Sequence, residues 1–287
     1  TIPDQAAPLP ATYPRMLSIP VLNLVTDGVA FGRALEQHIL ACGGPGTIDL
    51  IDAHFEYPDG VGAWLAARRL NIPVVVTVRG KIVSLSKRKV RRMQIAAMLR
   101  GVDARIAVSR SLAEWVRRVA GSDLDIDVIP NGVESATFYA ANRAEARANL
   151  SWHPNARYLL AVGHLQKVKG FDRIIAVMPE LRARLGDVRL VLAGSTRGEW
   201  SFRQRVRRLI GQCGGSPAVT FVGPTSAEQL NQMYNAADLF VNVSRSEGWN
   251  NSITESLAAG TPVVAFDVGG NAEQISSPQL GRIVPDG

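Results

Sequence analysis

Glu247 and Glu255 flank an Asn/Ser-rich turn in EGWNNSITESLAAGTPVVAFDVGG, Glu247 to Gly270. Asn250, Asn251 and Ser252 are residue types that end a loop and open a helix, whose first backbone N–H groups find no partner within it. Those donors and the positive end of the helix dipole suit a phosphate. Glu247 is expected on the loop before the helix and Glu255 in its first turn, both turned to one ligand. Gly260 and Pro262 then end the helix, and TPVVAF reads as the next buried strand. A plainer reading of the same residues stays open. Ser252-Ile253-Thr254-Glu255 fits a capping box, in which Glu255 only reaches back to the Ser252 N–H.

A second stretch, GHLQKVKGFD from Gly163 to Asp172, has glycines for close backbone approach and Lys167 and Lys169 as mobile positive charges for a diphosphate. It matches neither a G-x-G-x-x-G fingerprint nor a P-loop, so NAD and ATP lose support. By itself the segment is a weak signal, and a solvated strand-to-helix loop accounts for it more readily. Asp123, Asp125 and Asp127 run into a strand, which sends alternate carboxylates to opposite faces and reads as an exposed edge. No other His/Cys/Asp cluster has ligand spacing, so no metal is expected. His38 and His153 read as structural, whereas His54 follows a buried strand and precedes Glu56 and Asp59 at a predicted cleft. The absence of a G-x-S-x-G elbow disfavours hydrolases.

Short apolar runs alternate with helix-period segments almost throughout. IDLIDA, PVVVTV, ARIAV and DIDVIP read as strands, separated by helices near Gly60–Leu70, Lys87–Arg100 and Ser111–Val119. After Ser151 to Pro154 the rhythm restarts with RYLLAV, VRLVLAG, AVTFVG, DLFVNV and PVVAF. Such alternation predicts parallel sheets covered by helices on both faces, in two domains spanning 1–150 and 151–287. Ligands of open α/β sheets bind beyond the carboxyl ends of the strands. His54, Arg79-Gly80-Lys81, Asn131-Gly132, His164–Gly170 and Glu247 all follow strands, so two facing lobes with a cleft between them are expected.

The 287 residues suffice for two cores, and 46% are hydrophobic. The longest apolar candidate, Met16 to Val25, is too short to span a bilayer, which takes about 18 residues or more. The opening TIPDQAAPLPATYP reads as a loop, without a signal pattern. Cys42 and Cys213 are the only cysteines, as fits a reducing, cytoplasmic setting. The net charge of +7 is clustered. Lys87, Arg88, Lys89, Arg91 and Arg92 interleave with Val90, Met93, Ile95, Ala96, Met98 and Leu99, and Arg203, Arg205, Arg207 and Arg208 form a second group. The first cluster suits an anionic membrane surface, on the inner face of the cytoplasmic membrane; a nucleic-acid patch and a plain solvated helix face compete.

The combination of GHLQKVKGFD, IPNGVE, DAHFEYPDG and the run from FVGPTSAEQL through FDVGG resembles the retaining glycosyltransferases of family 4, with the two-lobed GT-B fold. Among them the chain looks most like bacterial enzymes of exopolysaccharide or teichuronic-acid-type glycan synthesis. The resemblance implies two facing Rossmann-like, doubly wound domains. It implies transfer from a nucleoside diphosphate sugar, UDP favoured over GDP or ADP, to a glycan or lipid-linked hydroxyl, with neither metal nor cofactor and no nucleic-acid partner. It assigns Glu255 to the ribose, Glu247 with Gly248 to the donor sugar, and Lys169 with Gly163 and the N–H groups of Asn251 and Ser252 to the diphosphate. Val222 and Gly223 would wall the base pocket, and His54 would face the reacting sugar. His164 stands where the family usually has an arginine, so Arg79 or Lys81 is expected to compensate, with Asn131 nearby on the phosphate or acceptor side. The family's opening strand with its Gly-rich loop and its closing helices are missing, which implies a piece of a longer enzyme.

Overall fold

The computed structural model describes residues 11–16, 18, 23–213 and 218–286. The loop expected at the start and much of the Met16–Val25 run lie outside the described residues. The chain divides into two compact units, Thr1–Pro130 and Asn131–Gly287.

In the first unit, helix α1 (Asn23–Ala41) is followed by β1 (Ile51–His54), α2 (Val61–Leu70), β2 (Val74–Val78), α3 (Ile82–Leu85), α4 (Lys89–Gly101), β3 (Ala104–Ala107), α5 (Arg110–Ala120) and β4 (Asp127–Val128). The strands pair in parallel in the order β1-β2-β3-β4. Val74, Val76 and Val78 on one face of β2 and Thr77 on the other are buried, as expected of a strand covered on both faces. The two-residue β4 is an exposed edge strand, which agrees with the reading of the Asp123–Asp127 run. Ile95, Ala96, Met98 and Leu99 of α4 are buried in the core. They are therefore withdrawn from the apolar face the basic segment was expected to offer. Val90 and Met93 remain exposed beside Lys87, Arg88, Lys89 and Arg92.

The second unit runs α6 (Arg143–Asn149), β5 (Arg157–Val162), α7 (Phe171–Leu185), β6 (Val188–Ala193), α8 (Trp200–Gln212), β7 (Val219–Gly223), α9 (Ala227–Ala236), β8 (Leu239–Asn242), α10 (Asn251–Ala258), β9 (Val263–Phe266), α11 (Asn271–Gln274) and β10 (Gly281–Val284). Its six parallel strands lie in the order β10-β9-β8-β5-β6-β7. Side chains alternate across the sheet. Ala161, Leu190 and Leu192 join Ile175 and Met178 of α7 and Phe202 of α8 in one core. Leu160, Val191 and Ala193 join Met233 and Tyr234 of α9 and Ile253 of α10 in the other. Burial on both faces is why these strands read as continuous apolar runs.

The units part earlier than residue 150. Residues 131–150 pack on the second unit because Arg147 on α6 is held by three of its groups. Its guanidinium donates to Ala236 O (3.0 Å), Asp238 Oδ2 (2.7 Å) and Pro154 O (2.6 Å). Asp238 Oδ2 also accepts from the Tyr158 N–H at 2.7 Å, so one carboxylate ties α6 to β5.

Candidate active site

In the second unit β5 and β8 are neighbours, yet successive strands lead away from them in opposite directions. Loops leaving the carboxyl ends of such a pair diverge and open a crevice, the usual ligand position in this architecture. Those two loops carry Gly163–Gly170 and Val243–Asn250. They meet through an ion pair, Lys169 Nζ to Glu247 Oε1 at 2.7 Å, with side chains 24% and 10% exposed. Asn250 Nδ2 donates to the same oxygen at 3.0 Å. A mobile cation, a carboxylate and an amide thus converge on one point.

The sequence builds this junction from small residues and one clamp. Gly163 has φ +150, and the stem of Lys169 passes 3.3–3.4 Å from where its Cβ would stand. Gly170, at φ +68, lies so close to the Val243 carbonyl that a side chain could not fit. Arg245 locks the two loops. Its N–H donates to Val168 O at 2.8 Å, and its guanidinium grips the Asp172 carboxylate at 3.0 and 2.9 Å and also reaches Lys167 O. Asp172 is 3% exposed, so the pairing satisfies a buried charge at the start of α7.

α10 begins differently from the expectation. Its N-cap is Asn250, whose Oδ1 accepts from the Ser252 N–H at 3.0 Å. The capping box on Ser252 is therefore not formed. Asn250 precedes it and is already turned inward by Glu247, so it takes the cap. The same bond occupies the Ser252 N–H that was expected to hold phosphate, while Asn251 Oδ1 accepts from Asn131 Nδ2 at 2.9 Å. Glu255 falls in the second turn rather than the first. Its Oε2 accepts from the Tyr234 hydroxyl at 2.7 Å. Burial raises the Glu255 pKa above the ordinary carboxylate value, and the hydroxyl bond offsets part of that rise.

Of the other expected donor residues, His164 is exposed on the loop after β5 and Val222 is exposed at the end of β7 beside Gly223. Gly248 O accepts from Gly270 N at 3.1 Å, which seats the Glu247 loop on the turn after β9. Three residues essential to this arrangement were missed as site residues: Asn250, Arg245 and Tyr234. Asn250 could have been found as the first cap-type residue of the turn. Arg245 and Tyr234 carry no local signal, because their partners lie far along the chain.

In the first unit, His54 closes β1 and accepts at Nδ1 from Arg79 Nε at 3.0 Å. Nε2 lies 3.2 Å from Asp52 Oδ2, so these partners assign the proton to Nε2 in the neutral ring. Lys81 lies over the Phe55 ring at 4.8 Å. Glu56, expected to line a cleft with His54, is instead fully buried. The N–H groups of Glu56, Gly80, Ile82 and Arg79 face its carboxyl, though neither oxygen reaches hydrogen-bond geometry with any of them. Burial raises its pKa. Among the described residues no three His, Cys, Asp or Glu side chains gather as a metal centre would require.

Comparison with known proteins places the fold. The family Glycosyl transferases group 1 matches residues 142–287, and Glycosyltransferase Family 4 matches residues 3–137. D-inositol 3-phosphate glycosyltransferase of Nocardia farcinica is 31% identical over 84% of this chain and 56% of its own, and that of Mycolicibacterium gilvum is 33% identical over the same shares. The chain thus spans about half the length of these curated relatives. Sucrose-phosphate synthase from Thermosynechococcus elongatus superposes with a TM-score of 0.79 at 27% identity, over 93% of this chain and 67% of that one. Anabaena Alr3699/HepE, solved in complex with UDP-glucose, shares the fold with a TM-score of 0.75 at 21% identity, over 90% and 69%. Both units are Rossmann-like parallel α/β domains of the GT-B type. Family matches over residues 3–137 and 142–287, with relatives above 30% identity across 84% of the chain, lead to one conclusion: the chain belongs to the group 1 glycosyl transferases, with a family 4 domain preceding the group 1 domain.

Proposed function

We propose that the protein transfers a sugar, with retention, from a nucleoside diphosphate sugar to an acceptor hydroxyl. The observation that carries this reading is the Lys169–Glu247–Asn250 junction at the β5/β8 switch point. An incoming diphosphate would draw Lys169 from Glu247 and free that carboxylate for hydroxyls of the donor sugar, both being charge-assisted contacts. Glu255 would hold the ribose, the Asn251 N–H and the α10 dipole would support the phosphates, and Val222 and Gly223 would flank the base, UDP being the favoured donor. The bond from the anomeric carbon to the diphosphate oxygen breaks, and the acceptor oxygen bonds to that carbon on the same face. The acceptor proton passes to the departing diphosphate oxygen. Positive groups placed beforehand against that growing charge lower the barrier without a metal. His54, half-exposed at the end of β1, offers an imidazole for a sugar hydroxyl.

The acceptor is read as a hydroxyl of a cell-surface glycan or its lipid-linked precursor, with exposed Val90 and Met93 among the α4 cations as a peripheral contact with the inner membrane face. A second acceptor class, a phosphorylated polyol, is favoured by Arg79 and Lys81 in the loop after β2. The curated relatives are named for D-inositol 3-phosphate. The rivals are a GT-B epimerase or phosphorylase, and a non-catalytic module for anionic surfaces.

One experiment separates these readings: UDP-, GDP- and ADP-sugars incubated with lipid-linked, glycan or inositol phosphate acceptors, with product analysis with and without acceptor. Lys169→Ala should lower turnover about 10²–10³-fold, the loss typical of removing one electrostatic stabiliser, and Glu255→Gln should weaken donor binding. Unchanged turnover and binding in both variants would remove the assignment. Sugar isomerised without acceptor would favour the epimerase, and release of sugar phosphate the phosphorylase.

A further inference from the structure

Tyr234 lies in the last turn of α9 and is fully buried. Its ring is held edge-on by Phe240 (centroids 5.6 Å apart) and Phe138 (6.1 Å). Such packing fixes where the phenolic oxygen stands, because a ring held on two sides cannot swing. The backbone is pinned as well. Tyr234 O accepts from Thr261 Oγ1 at 2.6 Å, and Thr261 O in turn accepts from Ser256 Oγ at 3.0 Å, so the end of α9 is tied to the end of α10. The hydroxyl emerges beneath the second turn of α10, donates to Glu255 Oε2 at 2.7 Å, and is also met by the Ser252 side chain.

The exchange is one-sided in a useful way. A buried phenol needs a partner, and Glu255 supplies it with one oxygen. Among the described residues Glu255 Oε1 takes no hydrogen-bond partner, and the side chain is only half-buried. A carboxylate normally samples several rotamers. Here one oxygen is anchored from inside and the other is left without a partner among the described residues.

We propose that Tyr234 is a positioning residue for the donor: by anchoring Glu255 Oε2 from the core, it presents Oε1 to the vicinal hydroxyls of a nucleoside diphosphate's ribose. This rests on the donor-site reading above. Vicinal hydroxyls bind best to a carboxylate whose plane is preset, since the ordering cost has then been met before binding. The same bond opposes the effect of burial on Glu255, helping it stay ionised and therefore able to accept. Tyr234 is the titratable group facing Glu255 from α9, the Ser252 hydroxyl of α10 meets the Tyr234 hydroxyl rather than the carboxylate, and among the described residues no charged side chain acts on Glu255.

The test is calorimetric titration of UDP, and of 2′-deoxy-UDP, into the full chain and into Tyr234→Phe, Glu255→Gln and the double variant, across pH. Tyr234→Phe keeps the ring that packs and removes only the hydroxyl. It should weaken UDP about tenfold, as the loss of one hydrogen bond to a charged group would, and should narrow the preference for UDP over 2′-deoxy-UDP. Because the Glu255 pKa is already raised, losing its donor raises it further, so UDP binding should fail at a higher pH as acid is added. In the Glu255→Gln background the Tyr234 substitution should change little. An equal loss in both backgrounds, with an unmoved acid limb, would make Tyr234 merely structural and overturn the inference. Wild-type protein that binds no nucleoside diphosphate would instead overturn the donor-site reading, and this inference with it. If Tyr234→Phe does not fold, wild type and Glu255→Gln decide: an equal preference for UDP over 2′-deoxy-UDP in both overturns the proposal.

Discussion

Replacing Arg245 with alanine tests whether the loops of the candidate site are held by one buried ion pair. The change removes both guanidinium bonds to Asp172, at 3.0 and 2.9 Å, and the bond to Lys167 O. Asp172 is 3% exposed and would lose its bidentate partner. Breaking a buried pair from one side costs about 3–5 kcal/mol. Arg205 Nε stands 3.3 Å from the same carboxylate on a largely exposed side chain and still supplies part of the counter-charge. The low end, about 3 kcal/mol, is therefore expected. A unit of this size shifts its melting midpoint by about 2–4 °C per kcal/mol, so the transition of residues 131–287 should fall by about 6–12 °C. Scanning calorimetry of Arg245→Ala, Asp172→Asn and the double variant checks this. Asp172→Asn removes the stranded charge, so the double variant should be no less stable than Arg245→Ala alone. A fall below about 2 °C, or strictly additive losses, would refute the reasoning.

Two further outcomes concern the first unit. The raised pKa of Glu56 means the native state holds its proton more tightly than the unfolded chain, so native stability is lost as pH rises from the ordinary value near 4.5 through the folded pKa. The melting temperature of Glu56→Gln should therefore gain on wild type across that window and level off above it; a gap independent of pH would contradict the burial argument. The α4 cations with exposed Val90 and Met93 should bind vesicles containing anionic lipid and release them as salt rises, and Lys89→Glu with Arg92→Glu should abolish co-sedimentation. Binding to neutral vesicles of equal strength would rule out the electrostatic contact.

Much of the architecture follows from local pattern. Strands such as Arg157–Val162 and Val188–Ala193 are apolar on both faces because helices cover both, and that signal is written in consecutive residues. The strand β10, with Arg282 exposed and the rest half-buried at the sheet edge, lacks the signal and went unread. α1 is not predicted from the sequence either: only its first residues, Asn23 to Val25, fall in the apolar run considered as a membrane span. Glu247, Lys169 and Glu255 were legible as chemistry because their residue types stand out beside glycines and cap residues.

Sequence by itself determined most of the segments that become strands and helices, α1 and β10 excepted, and therefore most of the residues that sit at strand ends where ligands bind. Only the tertiary structure decided that β5 lies beside β8, since strand order is set by crossovers whose pairing leaves no trace in either strand. That adjacency brings Lys169 to Glu247 and Asp172 to Arg245, while the packing of α9 against α10 brings Tyr234 to Glu255. It also overruled the local rule at α10. Ser252 and Glu255 have the spacing of a capping box, but Asn250 held by Glu247 and Glu255 held by Tyr234 offer longer-range partners, and those bonds form instead.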